Sequence, residues 1–580
     1  MVRPGLAILC AALMAACSSS PGADSGVPDG GPGSDAGPVP DSGPHADSGP
    51  PADAGADAGS VDAGPTGLSL DAGPVACPDG GACIWVDPLT AGRVVPPELF
   101  GDQIPDLSSG TFLWTTPSSP SCAGLTEGAA RPELMSLFGE LGITVLRYPS
   151  GTPGDFFFWE QAIGPVGSRV PQIDPFSSSN TTLVYDCPVF GPDEFAGVAH
   201  QLGTEILINT NVGTSGDAGA QEAAAWLRYY EDAGVRAQYW EIGNENYINS
   251  PIYFFSAAYK SPAQYTAIFN AQATALRAVD PTIKVGAIVT DQASWNSVVV
   301  AGVQQPDFYA IHVGYAPSAC LAPDGGISAD DAWRSTLANT LIVRYRLDQT
   351  EQQLAQYAPG LDAGLAMTEH AASWGTCSSD IPTVEIELQP NYELGSALYS
   401  ALLYNLMMAD PKMVMANHIN VSSPYFQAAV RTDLADGHSN PVKSPFFFVF
   451  SLYAQSGRAT LLPAKVSGSP TYDALVPFGI MPPVAGVPTL EAVAVEPPAG
   501  DRLWIYVVNR DLTRDASASV AINGLVAHNV TAEVVDGPQF DSANSAVDPN
   551  TVTLSTSSLP PGNPLTYTFP AHSLTRLTVR

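Results

Sequence analysis

Glu245 and Glu369 are the residues from which chemistry is most readily built. Glu245 closes the stretch "YWEIGNEN" (Tyr239–Asn246), and Glu369 lies in "GLAMTEHAASW" (Gly364–Trp374); each follows an apolar run. Two carboxyl groups brought to one mouth suit glycoside hydrolysis. One carboxylate attacks the anomeric carbon while the other, as an acid, protonates the leaving oxygen. The charge on the first raises the pKa of the second and keeps it protonated. Asn244, beside the acid, can hold the sugar hydroxyl next to the reacting carbon, a bond that strengthens in an oxocarbenium-like transition state. Glu241 lies inside the run and reads as a structural partner of an arginine, Arg147.

Such a pair needs a scaffold that points both chain segments the same way. Short apolar runs at 143–149, 204–212, 237–243, 283–289, 308–313, 364–370 and 413–421 alternate with helical stretches such as 220–234 and 262–279. Continuous apolar strands between amphipathic helices indicate a buried parallel sheet. With a first strand near "ELFGDQI" (98–104) the count is eight, which predicts a (β/α)8 TIM barrel over 91–460. In such barrels the active site lies at the C-terminal ends of the strands, where Glu245 follows strand four and Glu369 ends strand seven. From 461 to 580 the pattern turns to short alternating runs separated by Pro, Gly and Asn, which predicts a C-terminal antiparallel β-sandwich. The segment 77–90, with "CIWVDPL", could supply one more strand to it.

The 580 residues carry 23 basic against 57 acidic side chains, a formal net charge of −34. Nucleic acid is excluded as a partner, because phosphate binding needs clustered Lys and Arg. Residues 1–17 read as a lipoprotein-type signal: Arg3, an apolar run from Leu6 to Ala16, then Cys17 in "LMAACSSS", the expected lipidation site. Met14 is a less usual choice than Leu at its position, so plain secretion is the alternative. Contact with a membrane is expected only through that lipid anchor, and the location is the outer membrane, the cell surface or the medium. Residues 18–76 are almost wholly Gly, Pro, Ala, Ser and Asp, too poor in apolar residues to fold, and read as a tether.

Six cysteines remain after the signal, an even number that suits disulfides in an exported protein. Cys320 and Cys377 fall on the loops after strands six and seven, side by side at the mouth, and are expected to pair. That leaves Cys122 with Cys187, and Cys77 with Cys83. None has zinc-ligand spacing with a histidine nearby, so no metal is expected. No cofactor motif occurs, and the chemistry needs none.

The ordered set of motifs resembles a clan A retaining glycosidase, and most closely glycoside hydrolase family 51, the α-L-arabinofuranosidases. It comprises "LRYPSGTPGDFFFWEQAIGPVGSR" (146–169), "NVGTSGDAGAQEAAAWLRYY" (211–230), "YWEIGNEN", "IHVGY" (311–315), "TEHAASW" and "FPAHSLTRL" (569–577). The resemblance implies that Glu245 is the acid/base, Glu369 the nucleophile and Asn244 the ligand of the 2-hydroxyl. It implies that Arg147, His312 and Tyr315 position the nucleophile or line its pocket, and that Trp159 and Trp374 offer faces to sugar rings. The substrate would be a polysaccharide or oligosaccharide. Three positions depart from the family. Pro105 stands about where an acidic residue binds the terminal sugar, with Asp102 and Asp106 nearby; Ser150 replaces a Gly; Thr152 replaces an Asn. These departures leave room for another clan A activity, of β-glycanase, xylanase or glucuronidase type. A non-catalytic, surface-tethered sugar-binding lipoprotein is the rival of a different class. It has no use for a repelling carboxylate pair.

Overall fold

The computed structural model describes residues 68, 73–106, 110, 112–178, 181–213, 218–249, 255–321, 327–376, 389–423, 427–432, 441–479 and 481–580, without the side chains of 255–256, 316–321 and 374–376. The expected signal and most of the expected tether lie outside them. Within the expected tether, Leu68 packs on the sandwich, and its N–H donates to Gly500 O (3.2 Å). A leucine in an otherwise small and polar segment gives the chain its first apolar anchor.

Strand β1 (Ala82–Val86) precedes the barrel. The barrel strands are β2 (Gly101–Gln103), β3 (Val145–Tyr148), β4 (Glu205–Thr210), β5 (Tyr239–Ile242), β6 (Lys284–Ile288), β7 (Phe308–Ala310), β9 (Gly364–Thr376) and β10 (Met413–His418), with β8 (Gly314–Leu321) beside them. Each barrel strand pairs in parallel with the next, and the ring closes where Asn417 of β10 meets Gly101 of β2. Strand β9 runs six residues beyond the expected His370. It leaves the ring and pairs in parallel with β8, from Gly314 opposite His370 to Leu321 opposite Thr376, so a two-stranded ribbon stands on the mouth. Glu369 therefore lies within a strand rather than at its end. Cys320 pairs across this ribbon with Gly375, two residues before Cys377, which lies outside the described residues.

Amphipathic helices cover the ring. The helix Gly219–Asp232 buries Ala223, Ala224, Trp226, Leu227 and Tyr230, the three-to-four spacing of one helical face. The helix Pro262–Val279 starts with a reciprocal cap between Ser261 and Gln264. Among the described residues no helix is long and apolar enough to cross a membrane.

The C-terminal strands form a four-stranded sheet facing a six-stranded one, and β1 lies in the former, parallel to Ala516–Ile522 and antiparallel to Ala464–Ser467. The alternating burial of Val530–Asp536 reflects one face in the core and one outside. Barrel helices seal the junction. Tyr453 stacks on Tyr506 (centroids 4.4 Å apart), and the N–H of Gly395 donates to Phe540 O (2.7 Å). Cys77–Cys83 and Cys122–Cys187 are bridged.

Candidate active site

Arg147, on β3, organises the bore. Its guanidinium is fully buried, donates from Nε to Glu241 Oε2 (2.7 Å) and from Nη1 to Glu369 Oε1 (2.6 Å), and reaches Asn244 Oδ1 (2.8 Å) and Gln103 Oε1 (3.1 Å). Strand alternation explains the set: Gln103, Arg147 and Glu241 project inward from β2, β3 and β5. A buried charge of this kind persists only when it is paired and hydrogen-bonded. Tyr315, the second residue of β8, donates its hydroxyl to Glu369 Oε2. Burial would raise the Glu369 pKa, but His312, Arg147 and the Tyr315 hydroxyl outweigh it and hold the carboxyl below its ordinary 4.5. Glu369 is thus an oriented carboxylate.

Glu245 reaches the mouth by a turn that a glycine permits. Gly243 has φ +77°, and a Cβ there would lie 2.1 Å from Asn246 Oδ1. Glu245 itself has φ +45°, sparsely populated for a non-glycine residue. Its Oε1 lies 3.0 Å from His312 Nδ1. The other imidazole nitrogen, Nε2, lies 2.9 Å from Thr368 Oγ1, and Thr368 gives its only proton to Glu241 Oε1 (2.9 Å). With that proton given to Glu241, Thr368 must accept from His312, and His312 carries a proton on Nε2. The contact between Nδ1 and Glu245 then holds one proton, on the acid or on the ring. Burial alone would lower the His312 pKa, but Glu369 and Glu245 reverse it, and the net shift is upward. With Arg147 and the carboxylates of Glu241 and Glu369, the cluster carries a net charge of about −1, suited to a cationic transition state. One carboxylate oxygen each of Glu245 and Glu369 and one ring nitrogen of His312 lie mutually within 4.8 Å.

The structure thus brings together Glu245, Glu369, Asn244, Arg147, His312 and Tyr315. It does not bring in Trp159. That ring is 4% exposed, stacks on Trp226 (6.0 Å) and donates its N–H to Glu222 O (3.1 Å), so it is core and not a sugar platform. The side chain of Trp374 lies outside the described residues. Asp102 does not replace the missing acid. It is fully buried, with Oδ2 3.6 Å from His418 Nδ1, and His418 stacks on Phe446 of the covering helix, the side opposite the bore. Asp106 is buried under the loop after β3, its N–H on Pro149 O (3.3 Å). Sequence reasoning missed Thr368 and Gln103. Thr368 was within reach, since it adjoins Glu369 in "MTEH".

A (β/α)8 barrel with two glutamates facing each other, one just past the fourth barrel strand and one on the seventh, defines a glycosidase. Two family models match the chain: the alpha-L-arabinofuranosidase 1 domain over 137–319 and the alpha-L-arabinofuranosidase C-terminal domain over 373–573. The chain is a glycoside hydrolase family 51-like protein of the α-L-arabinofuranosidase type. It is 24% identical over 509 residues to an intracellular exo-alpha-(1->5)-L-arabinofuranosidase of Streptomyces lividans, a match covering 80% of this chain and 70% of that one. It is 23% identical to an exo-alpha-(1->6)-L-arabinofuranosidase of Bifidobacterium longum, covering 79% and 88%. The family 51 arabinofuranosidase structure from Xanthomonas axonopodis pv. citri superposes with a TM-score of 0.69 at 22% identity, covering 86% of this chain and 100% of that one.

Proposed function

We propose that the protein is an exported, retaining α-L-arabinofuranosidase that works by double displacement. Glu369 attacks the anomeric carbon as the bond to the leaving oxygen breaks, and Glu245 gives that oxygen its proton. Glu245 then takes a proton from water, which attacks the same carbon and frees Glu369. The observation that carries this reading is the separation of the carboxylates. An oxygen–oxygen approach within 4.8 Å is nearer the retaining distance of about 5–5.5 Å than the about 6.5–9.5 Å of inverting enzymes. Asn244 and Arg147 are bonded to each other beside the nucleophile, which suits a role for Asn244 at the 2-hydroxyl.

Pro105 and the outward Asp102 favour a second reading, in which the same machinery serves another clan A glycoside. A panel of aryl glycosides separates the two. Turnover of the α-L-arabinofuranoside above all others supports the first, turnover of a xyloside, glucoside or glucuronide supports the second, and no turnover of any sinks both. Export is supported by the "LMAAC" segment and by the two bridges, which need an oxidising compartment, although the Streptomyces relative is named intracellular. Fractionation of the source cell tests it; recovery in the cytoplasm with an intact N-terminus would refute it.

A further inference from the structure

Asp155, in the loop after β3, is fully buried and touches no reacting group, yet three loops converge on its carboxylate. Oδ2 accepts from Asn246 Nδ2 (3.0 Å), Oδ1 accepts from the N–H of Val212 (3.3 Å), and the N–H of Asn244 also bonds to it. Asn244 and Asn246 are the two neighbours of Glu245. The same Asn246 amide donates to Ala258 O (3.0 Å), and Asn246 O accepts from the N–H of Lys260 (2.8 Å). The Lys260 ammonium is half-buried near Asp155, held by the carbonyls of Gly213 (3.1 Å), Ala257 (3.3 Å), Tyr259 (3.3 Å) and Ala258 (3.4 Å). One carboxyl group, its pKa pushed up to about 7 by burial, therefore ties the loops after β3, β4 and β5 under a turn whose central residue has a left-handed backbone. The nucleophile carboxylate itself is held by Arg147 and Tyr315, neither of which bonds to Asp155, although Arg147 also donates to the side chain of Asn244.

We infer that Asp155 is a positioning residue for the acid/base: it clamps both flanks of Glu245 and so fixes the carboxyl on the leaving-group side, against His312. Releasing the clamp should impair proton donation while sparing nucleophilic attack. This inference rests on the reading of Glu245 as the acid/base.

The test is the leaving-group dependence of kcat/KM in Asp155→Asn and Asn246→Ala, on aryl glycosides of the sugar the wild type prefers, with Glu245→Gln as control. Proton donation contributes about 10²–10⁴-fold where the leaving group needs it. Both variants should therefore lose about 10²-fold or more on a poorly departing phenol and about tenfold or less on 2,4-dinitrophenol. An equal loss across all leaving groups, or no loss, in a folded variant overturns the inference; Asn246→Ala carries the test if Asp155→Asn does not fold. If Glu245→Gln itself shows no leaving-group dependence, the acid/base assignment fails instead.

Discussion

At the scale of the residue, the site works by dividing its charges. Arg147 and Tyr315 hold Glu369 as a carboxylate, and the chain Arg147–Glu241–Thr368–His312 fixes a proton on His312 Nε2, which turns Nδ1 toward Glu245. The sign of each shift fixes a pH profile. Glu369 has a lowered pKa, so activity that depends on its charge is present above 4.5 and lost only as pH falls through the lowered value. The second proton of His312 is retained through 6.5 and lost above it, since the His312 pKa is raised. A plot of kcat/KM should be flat between those limbs; an acidic limb above 4.5 contradicts the arrangement. Arg147→Ala should move the acidic limb upward and, by leaving Glu241 unpaired in the interior, cost about 3–5 kcal/mol in denaturant unfolding. Glu369→Ala should abolish turnover even of activated substrates. Glu245→Ala should spare the first step with them but slow hydrolysis of the intermediate, and azide should restore the overall rate with a product of retained configuration. Near-normal rates in Glu369→Ala would remove the nucleophile from its role.

At the scale of the element, strand direction decides what a side chain can do. The alternation of β2 sends Gln103 into the bore and Asp102 to the helices, so a carboxylate in about the right place by sequence is on the wrong face; a one-residue offset in a strand always has this effect. Trp159 was misread for a related reason: a motif position does not say on which side of a short turn the ring lies, and here it joins Trp226 and Tyr229 in the core. The convergence of Glu245 and Glu369 was legible because polar residues crowd the ends of apolar runs. The ribbon of β8 and β9 was not, because "AASWGT" has small residues and no terminating signal at His370. Gly243→Ala tests the turn that presents Glu245. Its Cβ would meet Asn246 Oδ1, so the variant should lose about 1–3 kcal/mol and at least about tenfold in kcat/KM, read by thermal melts and steady-state kinetics. Wild-type values would mean that the turn does not set the acid/base.

At the scale of the whole molecule, the two domains were legible from period alone: long apolar runs with helices between them, then short alternating strands. The strand Ala82–Val86, far from the rest of the sandwich in sequence, pairs with Ala464–Ser467 and Ala516–Ile522, so one strand of the sandwich precedes the barrel and the others follow it. The Cys122–Cys187 bridge closes 65 residues that include β3 and the loop carrying Asp155. On the chain-entropy model it stabilises by about 4 kcal/mol. Reduction should therefore lower the melting temperature and activity together, and an unchanged melt in reductant with both thiols shown free would contradict that role.

The most direct test of the central claim is peptide mass mapping of the Glu245→Ala variant, quenched during turnover of an activated aryl arabinofuranoside. Slow hydrolysis of the intermediate should leave one arabinosyl group esterified to Glu369. A sugar found on any other residue, or no adduct alongside a product of inverted configuration, would contradict the mechanism.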